Sequence, residues 1–255
     1  MQLFYKEYPG AGKPLIIMHG LFGLLDNWHN VAKTLSANYH VYSLDLRNHG
    51  QSPKSAVMNY AVMADDLWEF MQKHGISQAA IMGHSMGGKV AMEFALRFPD
   101  KCAKLIVVDI APKKYKPGHD EIFKALFALD ISNKEKTRKD FDTDMQARIP
   151  EFGVRQFLLK SLERKDDGSY QWKFNLEALH THYTAINDEP EGKRSYKGPS
   201  LFLRGGNSRY VSDEDRGKIE SMFPNYKLET IEGAGHWVHA EKPGELVEVV
   251  KGFLG

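Results

Sequence analysis

Short apolar runs that alternate with longer amphipathic stretches constrain the fold of this chain more than any other feature. Residues 28–35, 60–74 and 89–98 repeat apolar side chains every three or four positions, as amphipathic helices do. Short apolar runs between such helices are typical of strands buried on both faces of a parallel sheet. We therefore predict an α/β fold with a mostly parallel sheet flanked by helices. The apolar runs are residues 15–18, His40–Leu44, 79–82, 105–108 and 201–203.

The alternation stops after Asp109. Between residues 113 and 197 we find helical patterns and no good strand, and strand patterns return at 200–203 and 227–231. We predict that residues 113–198 form a helical cap (lid) inserted between strands 6 and 7, while 1–112 and 199–255 form the core. Ligands of open α/β sheets bind beyond the carboxyl ends of the strands, so we expect the cap to cover that edge.

Composition excludes several classes of partner. Lys and Arg number 34 against 33 Asp and Glu, so the near-neutral charge argues against a general electrostatic grip on nucleic acid or an anionic membrane. Cys102 is the only cysteine, and the start of the chain lacks the pattern of a signal peptide. No apolar run is long enough to span a membrane. These features predict a soluble cytoplasmic protein, a monomer or small homo-oligomer, that binds a small molecule.

The segment Gly83-His84-Ser85-Met86-Gly87 joins a predicted strand to a predicted helix. A sharp strand-to-helix turn holds its central residue in a strained backbone conformation, and glycines two positions away avoid collisions there. Such a turn lifts the Ser85 hydroxyl clear of the sheet and places it at a helix N-terminus, where developing negative charge is favoured. This context predicts that Ser85 is a nucleophile.

Over nearly its whole length the chain resembles the α/β-hydrolase-fold esterases, and in detail the YbfF-like esterases and related abhydrolase domain-containing proteins. The resemblance implies an α/β-hydrolase fold with a mostly parallel eight-stranded sheet and a Ser-His-Asp triad. The segments that carry it are residues 19–23 (HGLFG), 45–53 (DLRNHGQSP), 83–88 (GHSMGG), 203–211 (LRGGNSRYV) and 233–243 (GAGHWVHAEKP).

His236 is the predicted general base among eleven histidines. It lies in Gly-Ala-Gly-His after the last predicted strand, which completes the chain order of nucleophile, acid and histidine expected for this fold. His239 would point elsewhere on a helical turn, and His84 leaves the other side of the nucleophile turn, so we expect both to be structural. His180 and His182 lie in the predicted cap, where solvent-exposed and substrate-lining roles both stay open.

The acid departs from the commonest pattern of the superfamily. The loop at 205–209, where that acid usually stands, has no carboxylate, and the next one is Asp213. Asp109 ends a predicted buried strand, from which a rigid carboxylate can orient the histidine and stabilise its imidazolium form. The resemblance to the YbfF-like esterases places the acid there as well. Asp45 also ends a strand but precedes the nucleophile, and any of these aspartates could simply hold loop amides.

The oxyanion of a tetrahedral intermediate requires two hydrogen-bond donors. The backbone N–H of Met86 is one candidate, because this residue follows the nucleophile. The other is the N–H of Leu21 in the His-Gly turn, with Phe22 as the alternative.

A basic run just after Asp109 is either solvated surface or an attraction for an anionic substrate, and four apolar residues at helical spacing indicate cap packing or an acyl pocket. These residues are Lys113, Lys114 and Lys116, and Phe123, Phe127, Phe157 and Leu158.

Together these features predict a hydrolase without cofactor or metal that cleaves carboxylic esters, or acyl thioesters such as acyl-CoA, through an acyl-enzyme. A C–C hydrolase or an acyltransferase would use the same triad. A protein of another class, which binds or senses a ligand on this fold without turnover, would need no intact nucleophile and base. Hydrolysis of a 4-nitrophenyl ester distinguishes the enzyme from the binding protein.

Overall fold

A sheet of seven strands organises the described part of the chain. The computed structural model describes residues 1–191 and 194–255. The strands of the chain are β1 (Tyr5–Tyr8), β2 (Pro14–Met18), β3 (His40–Leu44), β4 (Ala79–His84), β5 (Cys102–Val108), β6 (Leu162–Arg164), β7 (Tyr170–Trp172), β8 (Ser200–Gly205) and β9 (Tyr226–Ile231). In the sheet the strands follow the order β1-β3-β2-β4-β5-β8-β9, and all neighbours are parallel except β1 and β3.

The prediction of eight strands in this sheet is wrong, since its described part has seven. The count of eight came from the resemblance alone. In the structure, β1 lies antiparallel beside β3, and residues 9–13 lead directly from β1 into β2. This edge of the sheet therefore holds a single antiparallel strand before the parallel series begins.

Helices cover both faces of the sheet, which explains why its central strands are so apolar. Ile16 and Met18 of β2 pack into one apolar cluster with the helices at 60–73 and 86–97, whereas Leu15 and Ile17 pack into a second cluster with the helices at 29–35 and 243–254. The helices are α1 (His29–Leu35), α2 (Tyr60–Lys73), α3 (Met86–Arg97), α4 (Asp120–Ala128), α5 (Arg138–Met145), α6 (Phe152–Leu159), α7 (Leu176–Thr181), α8 (Tyr183–Asn187), α9 (Arg216–Met222), α10 (Val238–Glu241) and α11 (Pro243–Leu254).

The segment between β5 and β8 is mainly helical, with α4 to α8 and the β6–β7 hairpin. The expectation that it contains no strand is wrong, because β6 and β7 lie in it. Each of these strands has only three residues, and β6 carries two charged ones, so neither shows a visible apolar pattern. The segment was predicted between strands 6 and 7. With seven strands in the sheet, it lies between the fifth and the sixth. No helix within the described residues is long and apolar enough to cross a membrane.

Candidate active site

Ser85 lies at the turn between β4 and α3 with a φ of 52° and a ψ of −117°, a backbone conformation unfavourable for an L-residue. The turn brings the backbone so close to itself that side chains cannot fit beside the serine. A Cβ on Gly83 would lie 2.1 Å from the carbonyl oxygen of Gly87, and one on Gly87 would lie 2.5 Å from that of His19. The Ser85 N–H donates to the Val108 carbonyl at 3.0 Å and ties the turn to β5.

Asp109 and His236 lie in contact across two loops. The Nδ1–H of His236 donates to Oδ2 of Asp109 at 2.7 Å, which leaves Nε2 as the unprotonated, accepting nitrogen of the neutral ring. Asp109 is fully buried, and its carboxylate also accepts the Gly205 N–H at 3.0 Å and the Ser208 hydroxyl at 2.5 Å. Tyr210 stacks on the His236 ring, with centroids 3.9 Å apart. Two hydrogen bonds thus hold the carboxylate that orients the imidazole.

The other candidate acids lie elsewhere. Asp45 is buried and accepts the backbone N–H groups of Leu25 and Gln51, so it holds two loops together. Asp213 is exposed and pairs with two arginine side chains, one of them Arg204. Neither carboxylate contacts the ring of His236 in the described part of the chain.

The loop after β2 is held by its own histidine. Nδ1–H of His19 donates to the Gly20 carbonyl at 2.8 Å, and Nε2 accepts the Leu46 N–H at 3.0 Å. Burial lowers the pKa of His19 to about 4, so the ring is neutral near pH 7 and can serve as this acceptor. The Gly23 N–H closes the turn onto the same Gly20 carbonyl.

The candidate oxyanion donors meet around one cavity. Met86 is the first residue of α3, so its N–H has no partner within the helix. Leu21 and Phe22 lie in the turn after β2, and neither N–H donates a hydrogen bond to another described residue. All three residues line the cavity that also contains Ser85. The choice between Leu21 and Phe22 stays open, although Phe22 has the more unusual backbone, with a φ of 61°.

Two histidines close to the site have structural contacts. His84 donates from Nε2 to the backbone carbonyl of His236 at 2.8 Å, which helps to hold the loop of the predicted base. The His239 ring stacks on Trp28 with centroids 4.5 Å apart. Burial lowers the pKa of His84 well below its usual range and that of His239 to about 3, so both rings are neutral.

Among the described residues, His180 and His182 of the predicted cap do not line the cavity. His182 donates from Nε2 to the Ala56 carbonyl at 2.6 Å, so it joins α8 to the core. His180 packs its ring against Phe123 and Phe127. Among the described residues, therefore, neither histidine contacts the predicted triad.

The cavity beside Ser85 has a volume of about 280 Å³. His236 also lines it, although within the described residues the Ser85 hydroxyl and His236 Nε2 do not form a hydrogen bond. In structures without substrate, that contact is often longer than a hydrogen bond. The segment between β5 and β8 supplies much of the cavity wall, including Ile122, Val154, Phe157, Leu158, Tyr183 and Ile186.

Lys89 and His119 are among the polar residues of the cavity that sequence reasoning missed. Lys89 is 1% exposed and donates from Nζ to the backbone carbonyls of Asn187, at 3.0 Å, and Asp188. Burial lowers its pKa to about 7. Its position one helical turn after the serine could have indicated a shared face. His119, bonded to the Tyr183 hydroxyl at 2.5 Å, gave no sequence signal.

Comparison with known proteins decides the family. A family model described as the alpha/beta hydrolase fold matches residues 13–243. The chain belongs to this family. This hydrolase is 41% identical over 242 residues to Esterase YbfF of Escherichia coli, covering 94% of this chain and 92% of that protein. The resemblance predicted from the sequence is thereby confirmed.

Further relatives agree in fold along the whole chain. The hydrolase is 38% identical to the mouse sn-1-specific diacylglycerol lipase ABHD11, with 94% of this chain and 80% of the relative covered. A solved structure titled "Marine microorganism esterase" superposes with a TM-score of 0.96 at 42% identity, and the superposition covers 99% of both chains.

Within its described residues, the hydrolase has no group of three or more His, Cys, Asp or Glu side chains placed to hold a metal ion.

Proposed function

We propose that this hydrolase cleaves carboxylic esters through a covalent acyl-enzyme formed on Ser85. The observation that carries the proposal is the 2.7 Å contact between buried Asp109 and His236 Nδ1, beside a cavity that contains Ser85. Because Nδ1 carries the proton in this contact, His236 Nε2 is free to accept the proton of Ser85. Names of the relatives, an esterase and a diacylglycerol lipase, point to the same class of reaction.

The first half of the proposed reaction forms the acyl-enzyme. The Ser85 hydroxyl attacks the ester carbonyl while His236 Nε2 takes its proton. The N–H of Met86 and that of Leu21 or Phe22 donate to the resulting oxyanion. Collapse of the intermediate breaks the bond to the alcohol, whose oxygen takes the proton from His236.

The second half releases the acid. Water gives a proton to His236 and attacks the acyl carbonyl, and the carboxylic acid leaves as Ser85 recovers its proton. Asp109 stabilises the imidazolium that forms in both halves, because its buried carboxylate faces Nδ1. The same steps would cleave a thioester such as an acyl-CoA. Comparing kcat/KM for an ester and a thioester that carry the same acyl group shows which of the two the enzyme prefers.

We assign residues 113–198, of which 192 and 193 lie outside the described residues, to a cap that selects the acyl group. Apolar side chains from α4 and α6, including Ile122, Val154 and Leu158, line the cavity. A volume of about 280 Å³ is near the lower end for small-molecule sites, which favours small or medium acyl esters.

The experiment is pre-steady-state hydrolysis of 4-nitrophenyl butanoate. We expect a burst of nitrophenol equal to the enzyme concentration, provided that deacylation limits turnover, and loss of activity in Ser85→Ala. Ser221→Ala removes an exposed serine of α9 and is the matched control with wild-type rates. Binding of the ester without any release of nitrophenol would instead favour the ligand-binding protein. Full activity in Ser85→Ala would overturn the mechanism.

A further inference from the structure

Basic residues beside the catalytic cavity differ in whether a carboxylate neutralises them. In the run after β5, Lys113 pairs with Asp215 at 2.7 Å and Lys114 pairs with Asp188 at 2.6 Å. Lys116 forms no ion pair with any described residue, is exposed, and lines the cavity. The run is therefore divided into two paired lysines and one lysine at the cavity whose charge is uncompensated.

Arg209 is a second uncompensated cation of the cavity lining. It is exposed, and within the parts of the chain that the structure describes it forms no ion pair. Its neighbour Tyr210 contacts the neighbour of Lys116, because the Tyr115 hydroxyl donates to the Tyr210 carbonyl at 2.6 Å. Lys116 directly follows the first of these hydrogen-bonded tyrosines, and Arg209 directly precedes the second. Among the described residues that line the cavity there is no Asp or Glu side chain.

Both cations line the same cavity as His236, and Arg209 directly precedes the tyrosine that covers the His236 ring. Tyr210 stacks on the His236 ring with centroids 3.9 Å apart and planes 18° from parallel. In the proposed mechanism His236 protonates the oxygen of the leaving group, which must therefore lie beside that ring. The departing alcohol therefore lies in the cavity that Arg209 and Lys116 also line.

Resting on the function proposed above, we propose that Arg209 and Lys116 recognise a negatively charged group on the leaving group of the substrate. The substrate class is then an acyl ester or thioester whose alcohol or thiol carries a carboxylate or phosphate. Attraction between opposite charges at a protein surface changes affinity by about 1.5- to fivefold per charge. Arginine adds a planar pair of N–H donors that matches either group.

The test compares two esters that share an acyl group and differ in charge, 4-(butanoyloxy)benzoate and 4-(butanoyloxy)benzamide. Wild-type enzyme should show a kcat/KM about tenfold higher for the benzoate, after division by the rates of alkaline hydrolysis. Arg209→Gln and Lys116→Gln should each lower this ratio by about two- to fivefold, and Arg209→Lys should keep most of it. A third ester, 4-(phosphonooxy)phenyl butanoate, shows whether phosphate or carboxylate is preferred.

Lys54→Gln removes an exposed lysine outside the cavity and is the charge-matched control, for which the ratio should stay at the wild-type value. A benzoate-to-benzamide ratio near one in the wild type would overturn anion recognition, and so would a fall of the ratio in Lys54→Gln as large as in the two cavity variants. In both cases, turnover of the neutral benzamide ester would still support the proposed function. Failure to cleave either ester would overturn both proposals.

Discussion

Replacement of Asp109 by Asn tests the proposed acid directly. Three donors point at this buried carboxylate: the Nδ1–H of His236 and the groups of Gly205 and Ser208. An amide offers one accepting oxygen, and its NH₂ group faces a donor unless the imidazole changes tautomer. The changed tautomer carries its proton on Nε2, so that nitrogen cannot accept the proton of Ser85.

We expect Asp109→Asn to lower kcat by about 10³- to 10⁴-fold, which corresponds to about 4–5.5 kcal/mol in the activation barrier. Steady-state hydrolysis of 4-nitrophenyl butanoate measures it, with circular dichroism to show that the variant folds. Asp213→Asn alters an exposed carboxylate outside the cavity and should cost less than threefold, and Asp45→Asn should cost far less than Asp109→Asn. A folded Asp109→Asn variant within tenfold of wild type would refute the assignment.

Three further changes probe strain, pH and the cap. Ser85→Gly should be inactive yet more stable than Ser85→Ala by about 1–2 kcal/mol in urea unfolding, because glycine tolerates a φ of 52°; equal stabilities would contradict strain. Burial lowers the pKa of His19 to about 4 and those of His49 and His239 to about 3, against about 6.5 in the unfolded chain. Below pH 6.5 the unfolded state binds more protons, so the free energy of unfolding should fall between pH 6.5 and 4.5, by up to about 1.4 kcal/mol per pH unit for each histidine; a constant value would show that they are not neutral. Val154→Trp should shift the preference of kcat/KM toward shorter acyl chains, and an unchanged chain-length profile would show that the cap does not select.

Most central strands could be predicted from the sequence because burial on both faces demands continuous apolar runs. Ile16 and Leu15 point to opposite faces and both are fully buried. The edge strand β1 was not predicted from the sequence, since three of its four residues are not buried and an edge strand needs no apolar pattern. The β6–β7 hairpin was not predicted either, because its pairing depends on a turn, with Gly168 at a φ of 87°, rather than on apolar residues.

The predicted site residues meet where chain order and strand ends suggested, since Asp109 and Ser85 leave adjacent parallel strands at the same edge. The supporting contacts could not be predicted in this way. Ser208 donates to a carboxylate 99 residues earlier, and Lys89 donates to carbonyls 98 and 99 residues later. Such pairs depend on how loops pack in three dimensions, which no local pattern records.

Covalent labelling with a fluorophosphonate tests the central claim most directly. After a short incubation, mass spectrometry of the intact enzyme should show one adduct, and peptide mapping should place it on Ser85. Ser85→Ala should take up no label, and Ser221→Ala should label like the wild type. An adduct on any other residue, or undiminished labelling of Ser85→Ala, would contradict the assignment of Ser85 as the nucleophile.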